Sequence, residues 1–313
     1  MTAPFREAEI DLDALRGNVA RFRELTEGAP LFVDVGADAW GHGISVVVPV
    51  LAELGAQAFV VARADEARAV RALASDPLVV TTQHVPGDDF AWAAELGVAP
   101  TVRSRDDFRR ALAAGLQGIM LAEDTGEGFP GFPADELEAV VAEAEAHDVP
   151  AIVDSAFPVI GAELFGISEL GVDQSDNFAP VMRLWAPIAL TKRVGAGEGV
   201  SYGYTYRTPS ETTLALITLG YGDGLTRAAG NRAQASVDGE KRPLAGRVAM
   251  DATMLDLGDV AAPPVGTPAV IVGDARRGEP TAHEHAEVLG THSAEITTRL
   301  TKRVHRSAKG AQS

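Results

Sequence analysis

The sequence predicts an α/β fold with a parallel sheet in its first part, followed by a second domain of antiparallel β structure. From residue 10 to about 165, short apolar runs alternate with amphipathic stretches, which is typical of repeated strand and helix units. From about residue 195, short alternating strands are separated by turns rich in Gly, Pro and Asp. We therefore predict two domains, residues 1–192 and residues 193–313.

The individual elements follow from these patterns. In the first domain, the predicted strands are residues 31–35, 58–61, 78–82, 101–103, 118–122 and 151–153, and the predicted helices are 46–54, 64–73, 88–96, 106–114 and 135–147. In the second domain, the predicted strands include residues 213–219, 234–237 and 268–272, and a last helix covers 282–289. The Asp238-Gly239 pair predicts a hairpin turn after the second of these strands.

Composition excludes several classes of protein. The 44 acidic residues outnumber the 27 basic ones and give a net charge of −17, which argues against a nucleic-acid partner because a phosphate backbone would be repelled. The absence of cysteine excludes disulfides, thiolate metal sites and cysteine nucleophiles. The longest apolar runs fall short of the roughly 20 residues that cross a membrane, and no signal peptide is evident, so we expect a cytoplasmic protein without a membrane partner.

Several motifs carry a resemblance to a known family. Residues 36–43 read Gly-Ala-Asp-Ala-Trp-Gly-His-Gly, which resembles the Lys-Ala-Asp-Ala-Tyr-Gly-His-Gly signature of alanine racemases. Residues 220–227 (Gly-Tyr-Gly-Asp-Gly-Leu-Thr-Arg), 246–251 (Gly-Arg-Val-Ala-Met-Asp) and 303–306 (Arg-Val-His-Arg) follow in the family's order. The chain is identified as a divergent member of this family of fold-type III pyridoxal-phosphate enzymes. The resemblance implies a TIM-type (β/α) barrel, a C-terminal antiparallel β domain and a head-to-tail homodimer.

The family's charged groups are replaced at several positions. The lysine that carries pyridoxal phosphate corresponds to Gly36, and a second lysine corresponds to Ala122. Two family arginines correspond to Phe129 and Leu164. The chain is also shorter than the family by about forty residues between Phe129 and Ser155, so we expect a barrel that lacks about one βα unit.

Other positions match the family's site, and the resemblance implies their roles. Tyr221 corresponds to the second catalytic base, and Met250 with Asp251 to the segment that approaches the cofactor. The phosphate-contacting positions correspond to Ser155, Gly166 and Ile167, and Trp40 replaces a phosphate-contacting tyrosine. Each of these residues also has a purely structural alternative, such as packing for Tyr221 and Met250 or a backbone hydrogen bond for Ser155.

Asp34 is a candidate that the family does not supply. It lies two residues before Gly36 on the same predicted strand, so alternation points both residues to the same face. A buried carboxylate is costly unless it is paired or protonated, which makes Asp34 a candidate general acid or base, with a structural ion pair as the alternative. His42 is a further candidate for the ligand site. His283 and His285 are two residues apart and lie on different helix faces, so we expect no metal site.

These substitutions suggest that the chain is not a pyridoxal-phosphate racemase and needs no cofactor. One hypothesis is a repurposed, cofactor-independent enzyme in which acid and base groups such as Asp34, Tyr221 and His42 act on a small acyl or amino-acid-like metabolite at the barrel mouth and dimer interface. The alternative is a catalytically dead homologue that binds a metabolite or pairs with an active racemase. A third hypothesis is residual pyridoxal-phosphate binding through Ser155 and Gly166 without covalent attachment. Whether the chain is an enzyme stays open at this point.

Overall fold

The computed structural model describes residues 5–167 and 177–310. The described chain packs as two compact units. We call residues 26–39 and 43–161 the barrel unit, and residues 1–25, 40–42 and 162–313 the β unit. The domain boundary after residue 192 stays a prediction about the sequence.

The elements follow in chain order. The helices are α1 (Leu12–Leu25), α2 (Gly36–Trp40), α3 (Ile44–Glu53), α4 (Ala64–Leu73), α5 (Ala91–Leu96), α6 (Arg105–Ala113), α7 (Ala134–Glu145), α8 (Ala282–Leu289) and α9 (Ser293–Thr298). The strands are β1 (Glu7–Asp11), β2 (Phe32–Asp34), β3 (Ala58–Val61), β4 (Leu78–Thr81), β5 (Ala99–Val102), β6 (Ile119–Leu121), β7 (Ala151–Val153), β8 (Met182–Val194), β9 (Gly199–Val200), β10 (Tyr206–Arg207), β11 (Thr212–Ile217), β12 (Gln234–Val237), β13 (Glu240–Pro243), β14 (Thr253–Asp256), β15 (Pro268–Val272) and β16 (His305–Lys309).

The barrel unit is a parallel half-barrel whose strands β2 to β7 are neighbours in sequence order. Strands β3, β5 and β6 are buried along their whole length, as expected where helices cover a parallel sheet, and this explains their continuous apolar runs. Beyond β7, Ile160 makes an isolated parallel bridge to β2, and the rings of Phe32 and Phe157 stack with centroids 4.1 Å apart. The predicted fold class is confirmed. The described part of the chain forms six parallel strands here, against eight in a complete TIM barrel.

The β unit is built around β8, the longest of the strands at 13 residues. Strands β1, β11 and β15 all pair with β8 in antiparallel fashion, whereas β1 and β16 pair in parallel. The hairpin of β12 and β13 turns at Asp238 and Gly239, whose φ values of 53° and 82° give the turn with two left-handed residues that Asp-Gly favours. Among the described residues, no helix is both long and apolar enough to span a membrane.

Candidate functional site

A cavity of the β unit surrounds Tyr221. It has a volume of about 1010 Å³ and lies within the β unit alone. Two tyrosines, two threonines, two arginines and an aspartate give the cavity its polar side chains. The lining residues are Tyr202, Tyr221, Gly224, Thr226, Arg227, Val248, Ala249, Met250, Asp251, Arg299 and Thr301. The cavity therefore combines hydroxyl groups with cations, a set that suits a small anionic ligand.

Tyr221 begins a one-turn 3-10 helix that is fixed to a neighbouring segment by its backbone. The Tyr221 N–H donates to the Ala249 carbonyl and the Gly222 N–H donates to the Met250 carbonyl, both at 2.9 Å. Gly220 permits this close approach, since a Cβ there would lie 2.4 Å from both carbonyl oxygens. The Tyr221 side chain is 42% exposed, so its hydroxyl is presented from a rigid turn.

The charged groups of the cavity differ in their partners. Asp251 forms an ion pair with Arg303, and Arg299 forms one with Glu295 at 2.6 Å. Arg227 has no ion pair with any described residue and is exposed to solvent. Because Arg303 neutralises Asp251, the Arg227 guanidinium remains available to bind a ligand carboxylate or phosphate in the cavity.

Asp34 and Gly36 lie at the carboxyl end of β2 in the barrel unit. The Asp34 carboxylate accepts a hydrogen bond of 2.7 Å from the Gly36 N–H. Burial raises the pKa of the Asp34 carboxyl above its ordinary value of 3.8, the Gly36 hydrogen bond opposes this, and Glu66 adds to the rise. Asp34 thus has the partly desolvated environment that favours a general acid or base.

The segment after Gly36 has a left-handed backbone. Residues 37–40 all have φ between 51° and 57°, and Gly41 follows at 85°. At Gly41 a Cβ would lie 2.1 Å from the Thr297 carbonyl oxygen, so glycine is required by both conformation and space. The segment brings Trp40 and His42 into the β unit, where the buried His42 ring stacks on Phe165 with centroids 4.7 Å apart.

The predicted phosphate-contacting residues lie on both units. Ser155 is exposed in a 3-10 turn after β7, and its hydroxyl donates to the Glu123 carboxylate. Gly166 has a φ of 71°, and a Cβ there would lie 2.3 Å from the Ala179 carbonyl oxygen. Backbone conformation and space therefore both explain why this position is glycine. Ile167 is buried in the β unit.

The structure groups some of the predicted site residues and separates others. Tyr221, Met250 and Asp251 line one cavity, whereas Trp40, His42, Gly166 and Ile167 belong to the same unit without lining it. Asp34, Gly36 and Ser155 belong to the barrel unit.

Sequence reasoning missed the two cavity arginines. Arg227 closes the 220–227 motif that was quoted for its tyrosine, and that position was the available signal. Arg299 lies directly after α9 and outside the quoted motifs, so nothing in the sequence marked it.

The two histidines of α8 have separate environments. His283 lies 3.7 Å from Glu287, and the buried His285 contacts the Gln234 carbonyl at 3.1 Å. Within residues 5–167 and 177–310, no group of three potential ligands is arranged to hold a metal ion.

Comparisons with known proteins cover nearly the whole chain. The family description "Alanine racemase, N-terminal domain" matches residues 10–155, and "Alanine racemase, C-terminal domain" matches residues 181–308. Alanine racemase from Thermobifida fusca is 33% identical over 370 residues, which covers 98% of this chain and 99% of that protein. Alanine racemase from Streptomyces coelicolor is 34% identical, covering 96% of this chain and 94% of that protein.

Solved structures agree with this match. Alanine racemase from Streptomyces coelicolor A3(2) has a TM-score of 0.86 at 32% identity and covers 97% of this chain and 98% of its own. Alanine racemase from Streptomyces lavendulae has a TM-score of 0.85 at 31% identity, covering 100% and 99%. The alignment with the Thermobifida fusca protein spans 370 residues against 313 in this chain, so that relative carries segments that this chain lacks.

These matches correct three expectations drawn from the sequence. The interpretation as a repurposed, cofactor-independent enzyme is wrong, and so is its alternative, a catalytically dead homologue, because relatives one-third identical over nearly their full length are named alanine racemase. The expectation that no cofactor binds is wrong for the same reason, since the family points to pyridoxal phosphate.

Proposed function

Because this chain belongs to the alanine racemase family, we propose that it racemises a small amino acid with pyridoxal phosphate as its cofactor. The observation that carries the proposal is the Tyr221 cavity, in which a tyrosine hydroxyl and two guanidinium groups face one volume of about 1010 Å³. A cation that binds the substrate carboxylate and a group that moves a proton are the two things a racemase must place around an α-carbon.

Tyr221 is proposed as one of the two acid/base groups. Its hydroxyl would remove or return the proton at the α-carbon of the amino acid. Asp34 of the barrel unit is proposed separately as an acid/base group, because its carboxylate accepts the Gly36 N–H at 2.7 Å and burial raises the pKa of its carboxyl. Arg227 would pair with the substrate carboxylate and orient the α-carbon, since it has no ion pair with a described residue.

We also propose that Gly36 stands where the family has its cofactor-carrying lysine. Gly36 has no amine and residues 1–191 contain no lysine, so the barrel unit does not fit a covalently attached pyridoxal phosphate. Noncovalent binding fits the residues present, because Arg299 also lines the cavity and its pair with Glu295 uses only the Nη1 of its guanidinium, which leaves other N–H groups for a phosphate. When bound, pyridoxal phosphate supplies the electron sink that stabilises negative charge at the α-carbon.

A head-to-tail homodimer is proposed as the assembly. Four large side chains of the β unit are exposed to solvent: Tyr202, Tyr204, Tyr221 and Met250. All of them except Tyr204 line the Tyr221 cavity. Exposed aromatic and methionine side chains of this kind are typical of interfaces. Light scattering at micromolar concentration should give the mass of two chains, and a monomer would contradict the assembly.

The test of the activity is exchange of the amino-acid α-proton for deuterium, followed by NMR together with racemisation of alanine. Exchange should require added pyridoxal phosphate, and Tyr221→Phe should lower it by about 10²- to 10⁴-fold. Tyr204→Phe, which changes an exposed tyrosine outside the cavity lining, is the matched control and should leave exchange unchanged. Protein that binds pyridoxal phosphate but exchanges the α-proton of no amino acid would overturn the proposed function.

The position of the missing lysine has its own test. A Cβ on Gly36 would lie 3.1 Å from the Asp34 carboxylate and 3.6 Å from the Ala62 nitrogen, so Gly36→Ala and Gly36→Lys need only a small shift of Asp34. After borohydride reduction with pyridoxal phosphate, mass spectrometry should find a covalent adduct in Gly36→Lys and in neither Gly36→Ala nor the unsubstituted protein. An adduct in the unsubstituted protein would show that another lysine carries the cofactor.

A further inference from the structure

A buried carboxylate lies two residues after Tyr221. The Asp223 side chain is 0% exposed, and it accepts a hydrogen bond of 2.9 Å from the Gly220 N–H. Two arginines that are distant in sequence pair with it, Arg6 with one carboxylate oxygen and the Arg303 Nε with the other at 3.1 Å. The buried Asp223 carboxylate, paired with both Arg6 and Arg303, therefore anchors the turn that carries Tyr221.

Arg303 connects this buried carboxylate to the opposite side of the Tyr221 turn. Its guanidinium also pairs with Asp251, which lines the cavity. A Cβ on Gly222 would lie 2.3 Å from the Arg303 Nη1, so the guanidinium lies directly against the backbone of the turn. The Thr301 side chain adds a hydrogen bond of 3.1 Å to the Gly222 carbonyl. One arginine thus contacts the Tyr221 turn and the Met250-Asp251 segment at the same time.

These ionic groups do not face the ligand themselves. Asp223, Arg6 and Arg303 are absent from the cavity lining, whereas Tyr221, Met250 and Asp251 belong to it. Removing one partner of a buried ion pair leaves an uncompensated charge, so the arrangement resists small displacements.

We propose that Asp223 and Arg303 are positioning residues that hold the Tyr221 hydroxyl in a fixed place relative to the Met250-Asp251 segment. The proposal rests on the proposed function, in which Tyr221 moves the α-proton. Asp223 holds the turn at Gly220, and Arg303 holds the turn to Asp251. A general acid or base that is misplaced by a fraction of an ångström loses much of its effect, so the ion pairs would act on the rate without touching the substrate.

The chain offers a matched control for Arg303. Arg193 also bridges two carboxylates, those of Glu211 and Asp259, and its side chain is 41% exposed against 42% for Arg303. Arg193 does not line the Tyr221 cavity. Arg303→Met and Arg193→Met therefore each remove an arginine of nearly equal exposure that bridges two carboxylates. The carboxylates paired with Arg193 are both exposed, whereas Arg303 also pairs with the buried Asp223 of the Tyr221 turn.

The first measurement does not depend on activity. With ¹³Cζ-labelled tyrosine, the chain gives signals from 4 tyrosines, and Tyr221→Phe identifies the signal of Tyr221. Arg303→Met should shift or broaden that signal alone, and Arg193→Met should leave it in place. An unchanged Tyr221 signal in Arg303→Met would overturn the proposal whether or not the protein proves to be a racemase, so failure here is distinguishable from failure of the proposed function.

The second measurement uses steady-state kinetics. In an Asp251→Asn background, which removes the cavity carboxylate that Arg303 neutralises, Arg303→Met should lower kcat by about ten- to a hundredfold relative to Asp251→Asn alone, with little change in KM. Arg303→Lys keeps one ion pair but cannot bridge two carboxylates, so it should recover part of kcat. Asp223→Asn should act in the same direction, and if it does not fold, Arg303→Met decides. A change of KM alone would refute a positioning role.

Discussion

Gly220 and Gly222 flank Tyr221, and alanine at the two positions should have opposite consequences for stability. A Cβ on Gly220 would lie 2.4 Å from the carbonyl oxygens of Ala249 and Met250, both of which are backbone atoms. A Cβ on Gly222 would lie 2.3 Å from the Arg303 Nη1, which is the end of a flexible side chain, and 3.1 Å from the Met250 oxygen. The Gly220 contacts require a large backbone movement, whereas the 3.1 Å contact of Gly222 requires a shift of only a few tenths of an ångström.

The size of the difference follows from the hydrogen bonds involved. The two carbonyl groups near Gly220 accept from the N–H groups of Tyr221 and Gly222, both at 2.9 Å. Breaking both costs about 0.5–1.5 kcal/mol each, so Gly220→Ala should lower the free energy of unfolding by about 2 kcal/mol. For a unit of this size that corresponds to a fall in Tm of about 4–8 °C. Gly222→Ala displaces the Arg303 Nη1, which takes part in neither ion pair of that side chain, and should cost less than about 1 kcal/mol.

Thermal and urea unfolding followed by tryptophan fluorescence measure both variants. If Gly220→Ala is as stable as the unsubstituted protein, or if the two variants lose equal stability, the close contact of the turn with the 249–250 backbone is refuted. The α-proton exchange assay separates the effects further. Gly222→Ala should lose activity out of proportion to its loss of stability, because it displaces Arg303 from the turn.

Three further outcomes follow from groups whose pKa is shifted. Burial raises the pKa of the Asp34 carboxyl, so the contribution of Asp34 to the free energy of unfolding falls as pH rises above 3.8. Urea unfolding at increasing pH should therefore show the unsubstituted protein losing stability relative to Asp34→Asn. Burial lowers the pKa of His285, so stability should fall as pH drops below 6.5, and His285→Gln should flatten this dependence in the same assay. Burial and the hydrogen bond to Asp256 raise the pKa of Tyr206 to about 12, so absorbance titration should find one tyrosine ionising near that value, absent in Tyr206→Phe.

The strands of the half-barrel were predictable because each is a short apolar run between amphipathic helices. The predicted strands at residues 58–61 and 151–153 coincide with β3 and β7. Strand β1 was not predicted. Its residues Glu7–Asp11 are a short alternation of acidic and apolar side chains, and the pairing that makes them a strand comes from β8 and β16, far along the chain.

The candidate site was less predictable, because its ionic groups depend on contacts between distant residues. The motif at residues 220–227 pointed to Tyr221, but nothing in the sequence marks Arg6 as the partner of Asp223, more than two hundred residues away. The isolated bridge from Ile160 to Val33 has the same origin, since no periodic pattern surrounds Ile160. Local patterns predict strands and turns, whereas long-range ion pairs require the fold.

Leu164, which we propose stands where the family has an arginine, lies in an environment that does not suit a charged side chain. Its side chain is fully buried in the β unit, where an unpaired guanidinium would carry a large desolvation cost. The neighbouring polar groups are already satisfied, because the Asn18 amide donates to the Leu164 carbonyl at 2.9 Å and to the Ala179 carbonyl at 2.8 Å. Leu164→Arg would therefore place a charge in a packed interior without a described partner, and it should destabilise the β unit and leave racemisation no faster. Higher activity in a stable Leu164→Arg variant would show instead that the position faces the reaction site.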